Sequence, residues 1–102
     1  MADVLIADGA EQDYSEALAW YAKRSVRAAN GFEAEVDRSL KAIAGDPHRY
    51  PFCDNHHQFY LMQKYPFQVI YRKVAQGVLV VAIAHAKRRP GYWSARIGRA
   101  KA

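Results

Sequence analysis

The sequence predicts an α+β fold, with a helical hairpin packed on one face of a small, mostly antiparallel four-stranded sheet. Three observations lead there. Between Asp8 and Asp46 apolar residues recur at helical spacing in two runs. From Gln58 to Ala84 three strand-like runs follow one another at hairpin-length separations. A short apolar run, Val4 to Ala7, precedes them and supplies a first strand. With 102 residues, 51% hydrophobic and 25% charged, the chain is expected to be one globular domain over 1–102.

Each element has its own signature. Asp8 is placed to cap the first helix, with Glu11 three residues on in capping-box position. Tyr14, Ala17, Leu18, Tyr21 and Ser25 follow i, i+3, i+4, i+7 spacing and mark one face of a helix to about Arg24. Trp20, beside Tyr21, falls at the edge of that stripe or outside it, where an exposed indole marks a contact surface. Ser25 can cap a second helix, whose stripe is Phe32, Val36, Leu40 and Ile43 and whose stop is Gly45-Asp46-Pro47. Gly31 inside it costs roughly 1 kcal/mol, which close approach of the two helices would explain.

Pro47 to His57 holds two prolines and no regular period, so it reads as a loop. Gln58–Tyr65, Phe67–Val74 and Val78–Ala84 read as three consecutive antiparallel strands, turning at Pro66 and at Ala75-Gln76-Gly77. The last is apolar throughout, as a central strand covered on both faces should be. Pro90-Gly91 breaks it, and Tyr92 to Arg99 can form a short terminal helix.

Charge is unevenly placed. Residues 1–46 carry nine acids and five bases, a net −4; residues 47–102 carry ten bases and only Asp54, a net +9. Such polarity draws acidic peptides or nucleic acid to the C-terminal half. A solvated basic surface is the plainer alternative. No run of 18 apolar residues and no basic-apolar leader occurs, so a soluble, cytoplasmic protein with no membrane contact is expected. The single Cys53 fits a reducing compartment. His48, Cys53, His56 and His57 include a CxxH spacing. However, adjacent histidines rarely converge on one ion, so no metal site and no cofactor is expected.

The strand end is the richest stretch. His85, Lys87, Arg88 and Arg89 follow it at once, and Tyr92, Trp93 and Arg96 lie just beyond Pro90-Gly91. One imidazole, several cations and two aromatics make a surface suited to something anionic. His85 could instead satisfy a backbone group and close the core, and Trp93 could pin the terminal segment by burial.

AWYAKRSVRAANGFEAEV (Ala19–Val36), IAGDPHRYP (Ile43–Pro51), KYPFQVIYR (Lys64–Arg72) and AIAHAKRRPGYW (Ala82–Trp93) together resemble the RelE/ParE toxin superfamily. These are the small toxins of bacterial toxin–antitoxin modules, often labelled plasmid stabilisation proteins. The resemblance implies the same fold and a cognate antitoxin. It also implies one of two actions: ParE-like binding to DNA gyrase, or RelE-like cleavage of messenger RNA on the ribosome. A degenerate, non-toxic member is a third possibility.

A metal-independent ribonuclease needs a base near neutral pKa, cations on the phosphate and an acid. His85, Arg88 and Tyr92, with Lys87, could supply them. RelE-like members typically place an Arg early in the strand that reads PFQVIY here, where this chain has Gln68. Alternation puts Arg72 on the same face as Gln68, from where it could compensate. The missing cation favours the ParE-like action, with Lys87, Arg88, Arg89, Trp93 and Arg96 expected to meet target or antitoxin.

Overall fold

The computed structural model describes residues 1–99. Its elements are β1 (Asp3–Ile6), α1 (Asp8–Ala22), α2 (Val26–Gly45), β2 (Gln58–Leu61), β3 (Phe67–Val74), β4 (Gly77–His85) and a terminal 3₁₀ segment (Tyr92–Arg99). The sheet order is β1-β4-β3-β2, with β1 parallel to β4 and the other pairs antiparallel. The expected α+β architecture is thus what forms, with β4 central.

The helices cover one face. Phe32, Val36 and Ile43 of α2 and Ala10 and Ala17 of α1 meet Val69, Tyr71, Val78, Val80 and Ile83 of the sheet, with Tyr14, Leu18 and Tyr21 packed around them. On the other face Trp93 closes over Ile70, Leu79, Val81, Ala82 and Ala84. Val81 and Ala82 point the same way because β4 is bulged. Ile70 pairs with Ala82 and Tyr71 with Val80, so Val81 has no partner on β3. An all-apolar strand hides that irregularity from any reading of alternation.

Four local expectations are corrected. Asp8 does not cap α1: the N-cap is Ala7, without a side-chain bond, and Asp8 and Glu11 lie in the first turn. There they favour the positive helix end electrostatically. The first helix stops at Ala22 rather than Arg24. β2 ends at Leu61, not Tyr65. The Gln63 amide donates to Glu35 Oε2 at 3.1 Å, and the Tyr65 hydroxyl donates to the Ala28 carbonyl at 2.9 Å, so α2 captures the turn. That also explains Gly31, where a Cβ would collide with the Tyr65 hydroxyl and not with α1.

Ser25 caps α2 as expected, accepting from the Ala28 amide at 3.1 Å. The proline-containing loop is pinned where it leaves α2. Tyr71 and Gln58 both donate to the Pro47 carbonyl, at 2.7 and 2.8 Å. Burial pushes the Tyr71 phenol up to about 12, so it stays a donor at any physiological pH.

Candidate functional site

β1 stops at Ile6, paired with Val80, and the chain turns into α1. Beyond that point two backbone groups of β4 take side-chain partners. The Val81 carbonyl accepts from Arg96 Nη1 at 3.2 Å, and the Ile83 amide donates to Asp13 Oδ2 at 3.0 Å. Arg96 and Asp13 bind each other through two bonds, Nη1 to Oδ2 at 2.8 Å and Nη2 to Oδ1 at 3.1 Å. The ion pair therefore does for this stretch of β4 what a longer β1 would have done. A bare sheet edge is a liability, and this one is closed by side chains.

Asp13 also accepts from the Tyr92 hydroxyl at 3.1 Å. Its carboxylate is 7% exposed as a residue and is fully engaged. One turn earlier, Gly9 gives Arg96 room: a Cβ there would lie 2.8–2.9 Å from Cδ, Nε and Cζ of that side chain. Gly9 and Asp13, four apart on α1, thus form a slot that holds the terminal segment. Burial raises the Tyr92 phenol, as do the charge and hydrogen bond of Asp13, and together they take it to about 12 against the opposing pull of Arg88 and Arg96.

The loop between β4 and that anchor carries the cations. Lys87, Arg88 and Arg89 are exposed, and among the described residues no ion pair engages them. The Arg88 guanidinium lies 3.8 Å from the Tyr92 ring centroid, a cation–π contact that gives the charge a fixed position. The His85 ring stands edge-on to Phe67, centroids 4.9 Å apart, and its Nδ1 accepts from the Lys87 amide at 3.0 Å. The imidazole proton is thereby assigned to Nε2. His85 and Arg88 line a cleft of about 480 Å³ whose other wall is α1.

The chain matches the family model described as ParE toxin of type II toxin–antitoxin system, parDE, over residues 4–90. It belongs to the ParE toxin family. Among solved structures it is similar to a chain titled "Chromosomal ParDE TA system from P. aeruginosa", with TM-score 0.75 and 12% identity, covering 85% of this chain and 98% of that one. At that identity the likeness speaks for the fold. No curated relative matches.

In this ParE-family chain the sequence-nominated residues do not all gather at one place. His85, Arg88 and Tyr92 come together at the mouth of β4, but the Tyr92 hydroxyl is spent on Asp13. Arg72 shares a face with Gln68, as alternation requires, since Phe67, Val69 and Tyr71 face the helices. That face is the one opposite His85, and Arg72 pairs with Leu79, far along β3 from the Phe67–His85 pair. The structure therefore does not bring Arg72 to the imidazole. Trp93, 6% exposed, is a core residue of the second face, and Arg96 is engaged with Asp13. Lys87, Arg88 and Arg89 are at the surface, without an ion pair among the described residues. Lys101 lies outside the described residues, as does the side chain of Arg99.

Asp13 and Gly9 were missed by sequence reasoning. A signal existed: Ala10, Asp13 and Ala17 are the buried residues of α1, at spacings of three and four. A carboxylate in a small-residue stripe facing a sheet calls for a cation from elsewhere in the chain. The loop histidines have other work. His57 is fully buried, and its Nδ1 lies 3.0 Å from both carboxylate oxygens of Asp54.

Proposed function

We propose that this chain is the toxin of a type II toxin–antitoxin module, held inactive by a cognate antitoxin, and that it acts in the cytoplasm by binding its target rather than by cutting RNA. The observation that carries this is the Lys87–Arg89 loop. Three cations without an ion-pair partner among the described residues are presented on a segment anchored by Asp13, while the Tyr92 hydroxyl is committed to Asp13 and Arg72 lies away from His85. A phenol held near 12 is a poor acid at neutral pH, because a proton donor works best with its pKa near the operating pH. Gln68 stands in place of the usual Arg, and Arg72, on the far face, does not compensate for it beside His85. Binding to an acidic surface needs only the cations, and DNA gyrase is the family expectation for that surface.

The test is made in growing cells. Induction of the chain alone should arrest growth, and co-expression of the small protein from the adjacent reading frame should restore it. Arg88→Glu, which alters an exposed side chain, should abolish arrest at unchanged soluble expression. Unchecked growth with the unaltered chain would leave only a degenerate module. Arrest that survives charge reversal at both Arg88 and Arg89 would remove the loop from the mechanism.

A further inference from the structure

We propose that the groove between α2 and the β2–β3 turn binds the phosphate backbone of duplex DNA, at a surface separate from the Lys87–Arg89 loop. The inference stands on the groove itself and does not rest on the toxin function proposed above.

Two distant parts of the chain build the groove. Arg27, Gly31, Ala34 and Arg38 line it from α2, and Lys64 and Tyr65 from the turn after β2. Residues 27 and 38 are eleven apart, close to three helical turns, so they share a face and stand about 16 Å apart along the axis. Gln63 bonds to Glu35 and Tyr65 to Ala28, which places Lys64 between the two arginines along α2. Arg27 and Arg38 belong to the acidic first 46 residues, so a charge count by halves does not reveal the cluster.

The charges select a polyanion. All three cations are exposed, and Arg27 and Lys64 have no ion pair among the described residues. Arg38 pairs with Glu35 at 2.6 Å, but that carboxylate is buried and also accepts from the Gln63 amide. Among the described residues no acid lines the groove, so three positive charges face one buried negative charge. The floor decides which polyanion. Ala28, Gly31 and Ala34 are small and offer no pocket for the apolar anchors of a peptide helix. The Tyr65 ring is packed against Tyr21 and Phe32 and does not stand free as a platform for the bases of a single strand. What remains is a basic track suited to backbone phosphates, which are met by charge without regard to sequence. Pro66, next to Tyr65, lines the cleft that holds His85 and Arg88. A target that carries DNA would thus be met on both sides of one turn.

The test titrates the purified full chain into a labelled duplex of arbitrary sequence and follows fluorescence anisotropy against salt. Each phosphate neutralised contributes about 0.9 to the slope of log affinity on log salt. The double variant Arg27→Ala/Lys64→Ala should therefore lower that slope by about 1.8, so that an about fourfold rise in salt costs it about twelvefold less affinity than it costs the unaltered chain. Both side chains are exposed, and Arg38 is left in place because its loss would strip Glu35 of a partner. Lys41→Ala removes an exposed α2 cation outside the groove, one paired with Asp37, and should leave the slope unchanged. An unchanged slope in the double variant, or an equal fall in Lys41→Ala, would overturn the groove. Loss of duplex binding in Arg88→Glu but not in the double variant would place the DNA on the loop and overturn it too. No duplex binding by the unaltered chain at low salt, or tighter binding to single-stranded DNA or polyglutamate, would overturn the ligand. Growth arrest is scored separately, so a chain that arrests growth and ignores the duplex loses this inference alone.

Discussion

Replacing Asp13 by Ala should be among the most destabilising single changes available on α1. The substitution strips acceptors from three donors at once: the Arg96 guanidinium, the Tyr92 hydroxyl and the Ile83 amide. Breaking a buried ion pair by removing one partner costs about 3–5 kcal/mol. The Arg96 side chain is 25% exposed and can recover some hydration, which places the loss near the lower end. At a urea slope of about 2 kcal/mol/M, the unfolding midpoint should fall by about 1.5 M. Asp13→Asn keeps an acceptor for Ile83 and should cost about 1–3 kcal/mol. Arg96→Ala should be costly as well, and the double variant Asp13→Ala/Arg96→Ala should lose clearly less than the sum, because the two act on one interaction. A shift below about 0.5 kcal/mol for Asp13→Ala, or strict additivity with Arg96→Ala, would refute the reasoning that the pair closes the β4 edge.

Three further outcomes follow from the same contacts. Gly9→Ala ought to improve helix propensity by about 1 kcal/mol, but its methyl displaces Arg96. It should therefore destabilise the native chain and stabilise the Arg96→Ala background, a sign change readable in urea midpoints. Burial alone would raise the Glu35 carboxyl, yet the Arg38 hydrogen bond, the Gln63 amide and the charges of Arg38 and Lys64 outweigh it and hold the group below its ordinary 4.5. The unfolded chain then takes up this proton first, so the contribution is complete above the ordinary carboxylate range and disappears as pH falls through the lower folded value. Midpoints measured across acid pH should show this loss, and Glu35→Gln should flatten that part of the profile. His85→Ala should leave growth arrest intact at preserved folding, as scored by near-ultraviolet circular dichroism and colony counts.

Much of the fold was legible because it is written in local periodicity. The stripes Tyr14–Ala17–Leu18–Tyr21 and Phe32–Val36–Leu40–Ile43, the Ser25 cap and the unbroken apolar β4 each carry their meaning within a few residues. What escaped depends on partners distant in sequence. β2 is cut short by Glu35, twenty-eight residues before the amide it captures, and no alternation pattern contains that bond. Gly31 reads as a helix–helix contact until Tyr65 is seen to need the space. The candidate site divides the same way. Its cations were plain in the run after Ala84. Which of them are free was not, because Arg96 is claimed by an aspartate eighty-three residues earlier. Arg72 illustrates a subtler limit: alternation gave its face correctly, but its position relative to His85 depends on the register between β3 and β4.

The central claim is that the surface after β4 binds rather than cuts, and one paired assay tests it most directly. Purified chain is added to a gyrase supercoiling reaction and, in parallel, to a translating extract whose messenger RNA is mapped by primer extension. The account predicts blocked supercoiling or gyrase-dependent DNA breaks, lost in Arg88→Glu and retained in His85→Ala, with ribosome-bound messenger RNA intact. Codon-positioned cleavage of that RNA, abolished by His85→Ala and accompanied by normal supercoiling, would contradict it.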